Sequence, residues 1–151
     1  MQVDDPEAQR FINRTMVARI ATLSRNVRPS INPLYFVFTN GVIWLGTDDW
    51  TLAARNARAD ARVSVLFQME KDRVDQRILR ARGRARISTD KAMLRSYNIR
   101  VAFKYVLTPA GIFNALAHIH QIPLKLTYNA QGAEKGVPCI IEITPEQVEF
   151  L

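Results

Sequence analysis

The chain is poor in the residues that most often advertise chemistry. It has one cysteine, two histidines and six glycines among 151 residues. A lone Cys139 excludes an internal disulfide, and with it the disulfide frameworks of small secreted domains. His118 and His120 have no cysteine or acidic cluster around them, and on a helix positions i and i+2 do not share a face, so no metal site is expected. The glycines form neither a P-loop nor a dinucleotide fingerprint, and no Ser-His-Asp pattern marks a catalytic residue. No run of eighteen apolar residues occurs, so no membrane span is expected. The opening residues MQVDDPEAQRF are polar and acidic, without the apolar centre of a signal peptide. These absences leave a cytoplasmic protein without a membrane partner as the expectation.

What the chain does have is apolar bulk and unevenly placed charge. A 48% apolar fraction over this length is enough to bury the core of one domain spanning residues 1–151. The net charge is +7, and between Lys71 and Lys104 eleven Lys/Arg stand against three Asp/Glu, whereas the rest of the chain carries ten against eleven. A basic stretch of this kind suits an anionic partner: a phosphate-bearing cofactor, a nucleic acid or a membrane surface. It also suits a plain solvated face.

The pattern of elements is mainly β with peripheral helices. Asp5-Pro6 opens a first helix that runs to about Arg14. Val17 to Ser24 reads as a strand, Arg25 to Arg28 as a turn and Ser30 to Thr39 as a second strand. That strand is apolar on both faces, with Ile31, Tyr35 and Val37 on one and Leu34, Phe36 and Phe38 on the other, so both need covering: one by a barrel lumen, the other by a helix or a partner subunit. Asn40-Gly41 signals a hairpin into a third strand, Val42 to Gly46. Asp48 or Asp49 is placed to cap a helix with Trp50, Ala53, Ala54, Ala57 and Ala61 along one side. Arg62 to Gln68 is the fourth strand and Ile78 to Ile87 the fifth, with Arg80, Arg82, Arg84 and Arg86 on one face by the period of two. Ser88 starts a helix with Leu94, Tyr97, Val101 and Tyr105 as its apolar positions, and Thr108-Pro109 starts another with Ile112, Phe113, Leu116 and Ile119. Lys125 to Tyr128 is a short strand candidate and Asn129 to Val137 a loop. Cys139 to Ile143 and Gln147 to Leu151 are strand pieces on either side of Thr144-Pro145. About six strands and four helices, mostly in antiparallel order, predict a small antiparallel barrel.

The block ARIATLS, RPSINPLYFVF, GVIWLGT, TLAARNARADARVSVLF and ILRARGRARI, with the closing CIIEITPEQVEFL, resembles the pyridoxamine 5′-phosphate oxidase-like family of flavin-binding split barrels. The resemblance covers roughly residues 8–90 and 138–151. It implies a six-stranded antiparallel split β-barrel, a homodimer, and FMN or, in a related branch, a deazaflavin coenzyme that carries out hydride transfer with a small-molecule substrate. It places Asn32, Pro33, Leu34 and Tyr35, continuing to Val37, along the flavin, and Gly46 and Thr47 at the phosphate corner. It places Thr51, Leu52 and Ala53 where the family commonly has a hydroxyl followed by two cations. Arg55 lies two positions further on, and i to i+2 on a helix points about 200° away. The hydroxyls remain, the cations do not, and Asn32 stands where an arginine is frequent.

Three functional classes follow: a flavin- or deazaflavin-dependent oxidoreductase, a non-catalytic ligand-binding barrel without strong FMN anchorage or without a cofactor, and a nucleic-acid binder using Arg80 to Arg86. The last is disfavoured because that strand offers no aromatics for stacking bases. Trp44 and Trp50 flank the Gly46-Thr47 corner as core, interface or ring-stacking residues, and Cys139 reads as a small core residue. Residues 91–137 form a helical insertion that either covers the groove or caps the barrel.

Overall fold

The computed structural model describes residues 1–69, 74–105 and 136–151. The elements are α1 (Pro6–Arg14), β1 (Ala18–Leu23), β2 (Pro29–Leu34), β3 (Phe36–Thr39), β4 (Val42–Asp48), α2 (Leu52–Ala59), β5 (Arg62–Gln68), β6 (Ile78–Ser88), α3 (Lys91–Tyr105) and β7 (Pro138–Phe150). The expected helix from Thr108, the strand Lys125 to Tyr128, both histidines and most of the loop Asn129 to Val137 lie outside the described residues.

All pairings are antiparallel, and the strands follow the order β2-β1-β5-β6-β7-β4-β3. The two ends of that order, β2 and β3, are consecutive in the chain and separated by Tyr35 alone. Edges joined by one residue force the sheet to curl back on itself. The result is a split barrel with seven strands rather than six, because the expected second strand, Ser30 to Thr39, breaks at Tyr35. Its first half pairs with β1 and its second half with β4.

The lumen is filled by Ile20, Phe36, Ile43, Leu45, Val65, Phe67, Leu79, Ile141, Ile143 and Val148, with α1 plugging one end through Ala8, Phe11 and Ile12. Helix α1 is capped by the Asp5 carboxylate, which accepts from the Glu7 and Ala8 amides, with Pro6 at its first position. The second cover of β3 is α3: Val37 packs with Tyr97 and Ile140, flanked by Trp44, Leu94 and Val101. Its N-terminus is held by Asp90, whose Oδ1 accepts from the Ala92 amide, two residues beyond the expected Ser88.

The closing strand differs from expectation in being continuous. Pairing of β6 with β7 slips by one between Arg82 and Gly83, leaving Glu146 as an extra residue, so β7 runs through Thr144-Pro145 as a bulge instead of stopping there. Gly83 is required at this slip, since a Cβ there would lie 2.1 Å from the Thr144 carbonyl oxygen.

Helix α2 docks through Ala53, Ala54 and Ala57 and through one polar residue, Asn56. The Asn56 amide donates to Thr22 Oγ1 at 3.0 Å and to Ser30 Oγ at 3.1 Å, and those hydroxyls are 3.0 Å apart. Asn56→Ala deletes both bonds in a buried site, and a loss of roughly 1–3 kcal/mol is expected. A urea midpoint that falls at unchanged slope would show it.

Candidate functional site

The barrel closes at a notch around Tyr35, and α3 sits over it. The Tyr97 hydroxyl accepts from the Gly46 amide at 3.1 Å and donates to the Tyr35 carbonyl at 3.2 Å. The Gly46 amide also reaches the Tyr35 carbonyl directly, at 3.3 Å. One phenol thus ties the bend between β2 and β3 to the end of β4. Burial, as the main cause, pushes the Tyr97 hydroxyl up to about 12, so it remains a neutral donor. One helix end further on, the Tyr105 hydroxyl accepts from the Phe36 amide at 3.3 Å and contacts the carbonyls of Met16 and Phe36. The Tyr35 and Tyr105 rings meet edge to face at 4.9 Å. Lys104 lies over the Phe36 ring at 3.3 Å, with its ammonium 3.5 Å from the Phe36 carbonyl. Burial pulls that ammonium down to about 7. Helix α3 therefore packs over Tyr35, Phe36 and Val37.

Along the preceding strand β2, Asn32 faces Ile20 of β1, and its Oδ1 is buried without a hydrogen-bond partner among the described residues. Leu34 packs against the core, while Pro33 is exposed. Ile31 on β2 and Tyr35 just beyond its end expose 58% and 56% of their surface.

The second part of the site is the corner between β4 and α2. Thr47 Oγ1 and Thr51 Oγ1 are 3.0 Å apart. Thr51, not Asp48 or Asp49, caps α2: its Oγ1 accepts from the Ala54 amide at 3.4 Å and donates to the Asp48 carbonyl at 2.9 Å. Thr wins here because Asp49 is engaged elsewhere, its Oδ1 accepting from the Val137 amide at 3.0 Å. Leu52 is 44% exposed at the first turn of α2, whereas Ala53, beside it, is 2% exposed and belongs to the core cluster. Arg55 is exposed, and Arg58 donates to the Asp49 carbonyl at 3.2 Å. Burial and then the neighbouring Asp49 charge raise the Asp48 carboxyl. A helix N-terminus and two hydroxyls favour an anion here; two adjacent carboxylates oppose one.

Trp50 lies before α2 and is largely exposed, so the apolar side of that helix begins at Ala53. Trp44 is half-buried under α3 and donates from its indole to Glu142 at 3.0 Å. Cys139 is buried, and burial raises its thiol to about 11, which makes it inert as a nucleophile at neutral pH. No group of metal-ligating side chains occurs among the described residues. No helix among them is long and apolar enough to cross a membrane.

The arginine face of β6 exists, but it is matched. Arg80 and Arg82 both meet Glu149, at 2.7 and 2.9 Å, Arg84 meets Glu146 at 3.4 Å, and Arg86 meets Glu142 at 2.7 Å. These acids come from β7, more than fifty residues away in sequence. On that face, four guanidinium groups thus meet three carboxylates.

A family model described as pyridoxamine 5′-phosphate oxidase matches residues 4–151. No curated protein matches this chain. Among solved structures, a conserved hypothetical protein from Mycobacterium tuberculosis superposes with a TM-score of 0.71 at 18% identity, over 97% of this chain and 83% of the other. An F420 reductase gives 0.64 at 17% identity, over 93% and 94%. A heme storage protein from Vibrio cholerae gives 0.65 at 15% identity, over 99% and 94%. Likeness at these identities is likeness of fold.

Proposed function

We propose that this chain, which belongs to the pyridoxamine 5′-phosphate oxidase family, acts as a homodimeric cytoplasmic oxidoreductase that transfers a hydride between a flavin-type cofactor, FMN or a deazaflavin, and a small organic substrate. The observation that carries the reading is Asn32. An orphaned, buried amide oxygen costs about 1–3 kcal/mol unless something satisfies it. It lies on the strand that the family lays along its cofactor, and a flavin ring carries an N–H donor of the kind this oxygen needs.

The residues present fit the ring of such a cofactor better than its phosphate. Asn32 and the backbone around Tyr35 would hold the ring, and the Thr47 and Thr51 hydroxyls with the α2 N-terminus would meet the phosphate. Bound there, the cofactor supplies the hydride chemistry. The chain supplies position through the Tyr97 and Tyr105 hydroxyls, which fix the closing bend, and a cover through α3. The corner lacks side-chain cations at Leu52 and Ala53, so FMN is held without the strong anchors that its phosphate would otherwise meet. The exposed apolar face of Ile31 and Pro33 on β2 and of Tyr35 after it supports a second copy as its cover.

A titration of the purified protein with FMN and with a deazaflavin, followed by the visible spectrum of the chromophore, tests this reading. A saturable shift with one of them, and turnover under a reductant, is the expected result. Flat titrations with both would overturn it. The missing cations favour a second reading, a ligand-binding barrel without redox activity; it predicts binding with no turnover under any reduced cofactor.

A further inference from the structure

A cavity of about 420 Å³ opens between the end of α1, β3 and the last turns of α3, lined by Asn13, Val37, Phe38, Arg100, Phe103 and Lys104. Its size falls in the range of small-molecule pockets, about 300–1,000 Å³, and is far larger than a single ion needs. Its chemistry is one-sided: an arginine, a lysine turned onto Phe36, and no carboxylate among the described lining residues. Arg100 is the informative one. Its Nε donates to Ser96 Oγ one turn back, at 3.3 Å, and among the described residues its two terminal nitrogens meet no hydrogen-bond or ion-pair partner. Elsewhere Arg62, Arg77, Arg80, Arg82, Arg84 and Arg86 all meet carboxylates. Arg100 is thus a guanidinium at the rim of a cavity, with its forked face open to a planar anion. The walls beside it are aromatic. Phe103 is 62% exposed, a large apolar side chain left in water, and Phe38 and Val37 line the strand side.

We propose that this cavity binds a small organic anion, with a carboxylate or phosphate head on Arg100 and an aromatic body against Phe103 and Phe38. Asn13 supplies a neutral polar group at the α1 side. The site needs no flavin, so it stands or falls independently of the redox reading.

Calorimetric titration of the whole chain, without added flavin, with benzoate, phenyl phosphate and inorganic phosphate is the test. Saturable binding of benzoate or phenyl phosphate is expected, with the tighter of the two naming the head group. Inorganic phosphate is expected to bind at least about tenfold more weakly, since it leaves the ring subsite empty. Arg100→Gln is at an exposed position and keeps the fold; it is expected to weaken the aromatic anion by about tenfold or more. Phe103→Ala, also exposed, is expected to weaken it without changing inorganic phosphate. No saturable binding of either aromatic anion up to about 10 mM, an affinity unchanged by Arg100→Gln, or inorganic phosphate binding as tightly as phenyl phosphate would each overturn the proposal.

Discussion

Replacing Gly46 by alanine is expected to lower the melting temperature by roughly 6–12 °C. The reason is local and rigid. A Cβ at Gly46 would lie 2.3 Å from the Tyr97 hydroxyl oxygen and 2.4 and 2.5 Å from two of its ring carbons. The ring has nowhere to go, because its hydroxyl is bonded to both the Gly46 amide and the Tyr35 carbonyl and its body is packed on Val37 and Ile140. Overpacking of this kind costs typically 1–3 kcal/mol, and a fixed phenol belongs near about 3. At this chain length each kcal/mol shifts the melting temperature by roughly 2–4 °C. The control is the double variant Gly46→Ala with Tyr97→Leu, since leucine ends short of the clashing ring atoms. If the clash is the cause, the double variant is more stable than the sum of the two single losses by about 1 kcal/mol or more. Strict additivity would show that the tyrosine is not what excludes a side chain at position 46. Tyr97→Phe alone keeps the ring and loses only the hydroxyl, so its expected cost is smaller, about 1 kcal/mol, with the direct Gly46 to Tyr35 bond remaining.

The Gly46–Tyr97 pair also shows what the sequence could and could not reveal. Elements whose signal is local were legible: Asp5-Pro6 before α1, the Asn40-Gly41 turn with both residues at positive φ, and β5 with its bounds as expected. Tyr97 was visible as an apolar position of a helix. That its hydroxyl would close the barrel was not, because its partners are backbone groups at positions 35 and 46, and backbone groups leave no mark in a sequence. The break at Tyr35 was hidden for a related reason. The run from Ser30 to Thr39 has no glycine, and Pro33 alone does not reveal that two different strands claim its halves.

The charge pattern failed in a more instructive way. Arg80 to Arg86 alternate so regularly that a basic face is the natural reading, and the face is there. Its counter-charges, Glu142, Glu146 and Glu149, sit on β7 in a segment that reads as an ordinary terminal strand, and only the β6–β7 register brings them opposite. A bulge at Glu146 adjusts that register. Paired charge of this kind defines a sheet surface more than it recruits an anion. Arg100, an arginine that meets no carboxylate among the described residues, has no alternating neighbours to draw attention to it.

Leu52→Arg is expected to tighten FMN binding by about tenfold. The corner already offers what backbone and hydroxyls can offer an anion: the N-terminus of α2 and the Thr47 and Thr51 side chains. What it lacks is a cation at position 52 or 53, and those two positions are not equivalent in this fold. Ala53 is packed in the core against the barrel, so Ala53→Lys would bury an ammonium and destabilise the protein instead of serving a phosphate. Leu52 faces solvent at the first turn, where a long side chain is free to bend toward the corner. A charge-assisted hydrogen bond contributes roughly 1.5–3 kcal/mol, and a cation at a helix N-terminus costs about 0.3–1 kcal/mol. The difference is centred near a factor of ten, at about 1.4 kcal/mol per decade. Fluorescence quenching of FMN measures it, and riboflavin, which has the same ring without the phosphate, is the control. An equal gain for riboflavin would place the new cation on the ring and not at the phosphate. No gain for FMN would mean that the phosphate of this family's cofactor does not come to the Thr47–Thr51 corner in this chain. A gain confined to FMN would locate the phosphate at that corner and leave Asn32, on β2, to meet the ring.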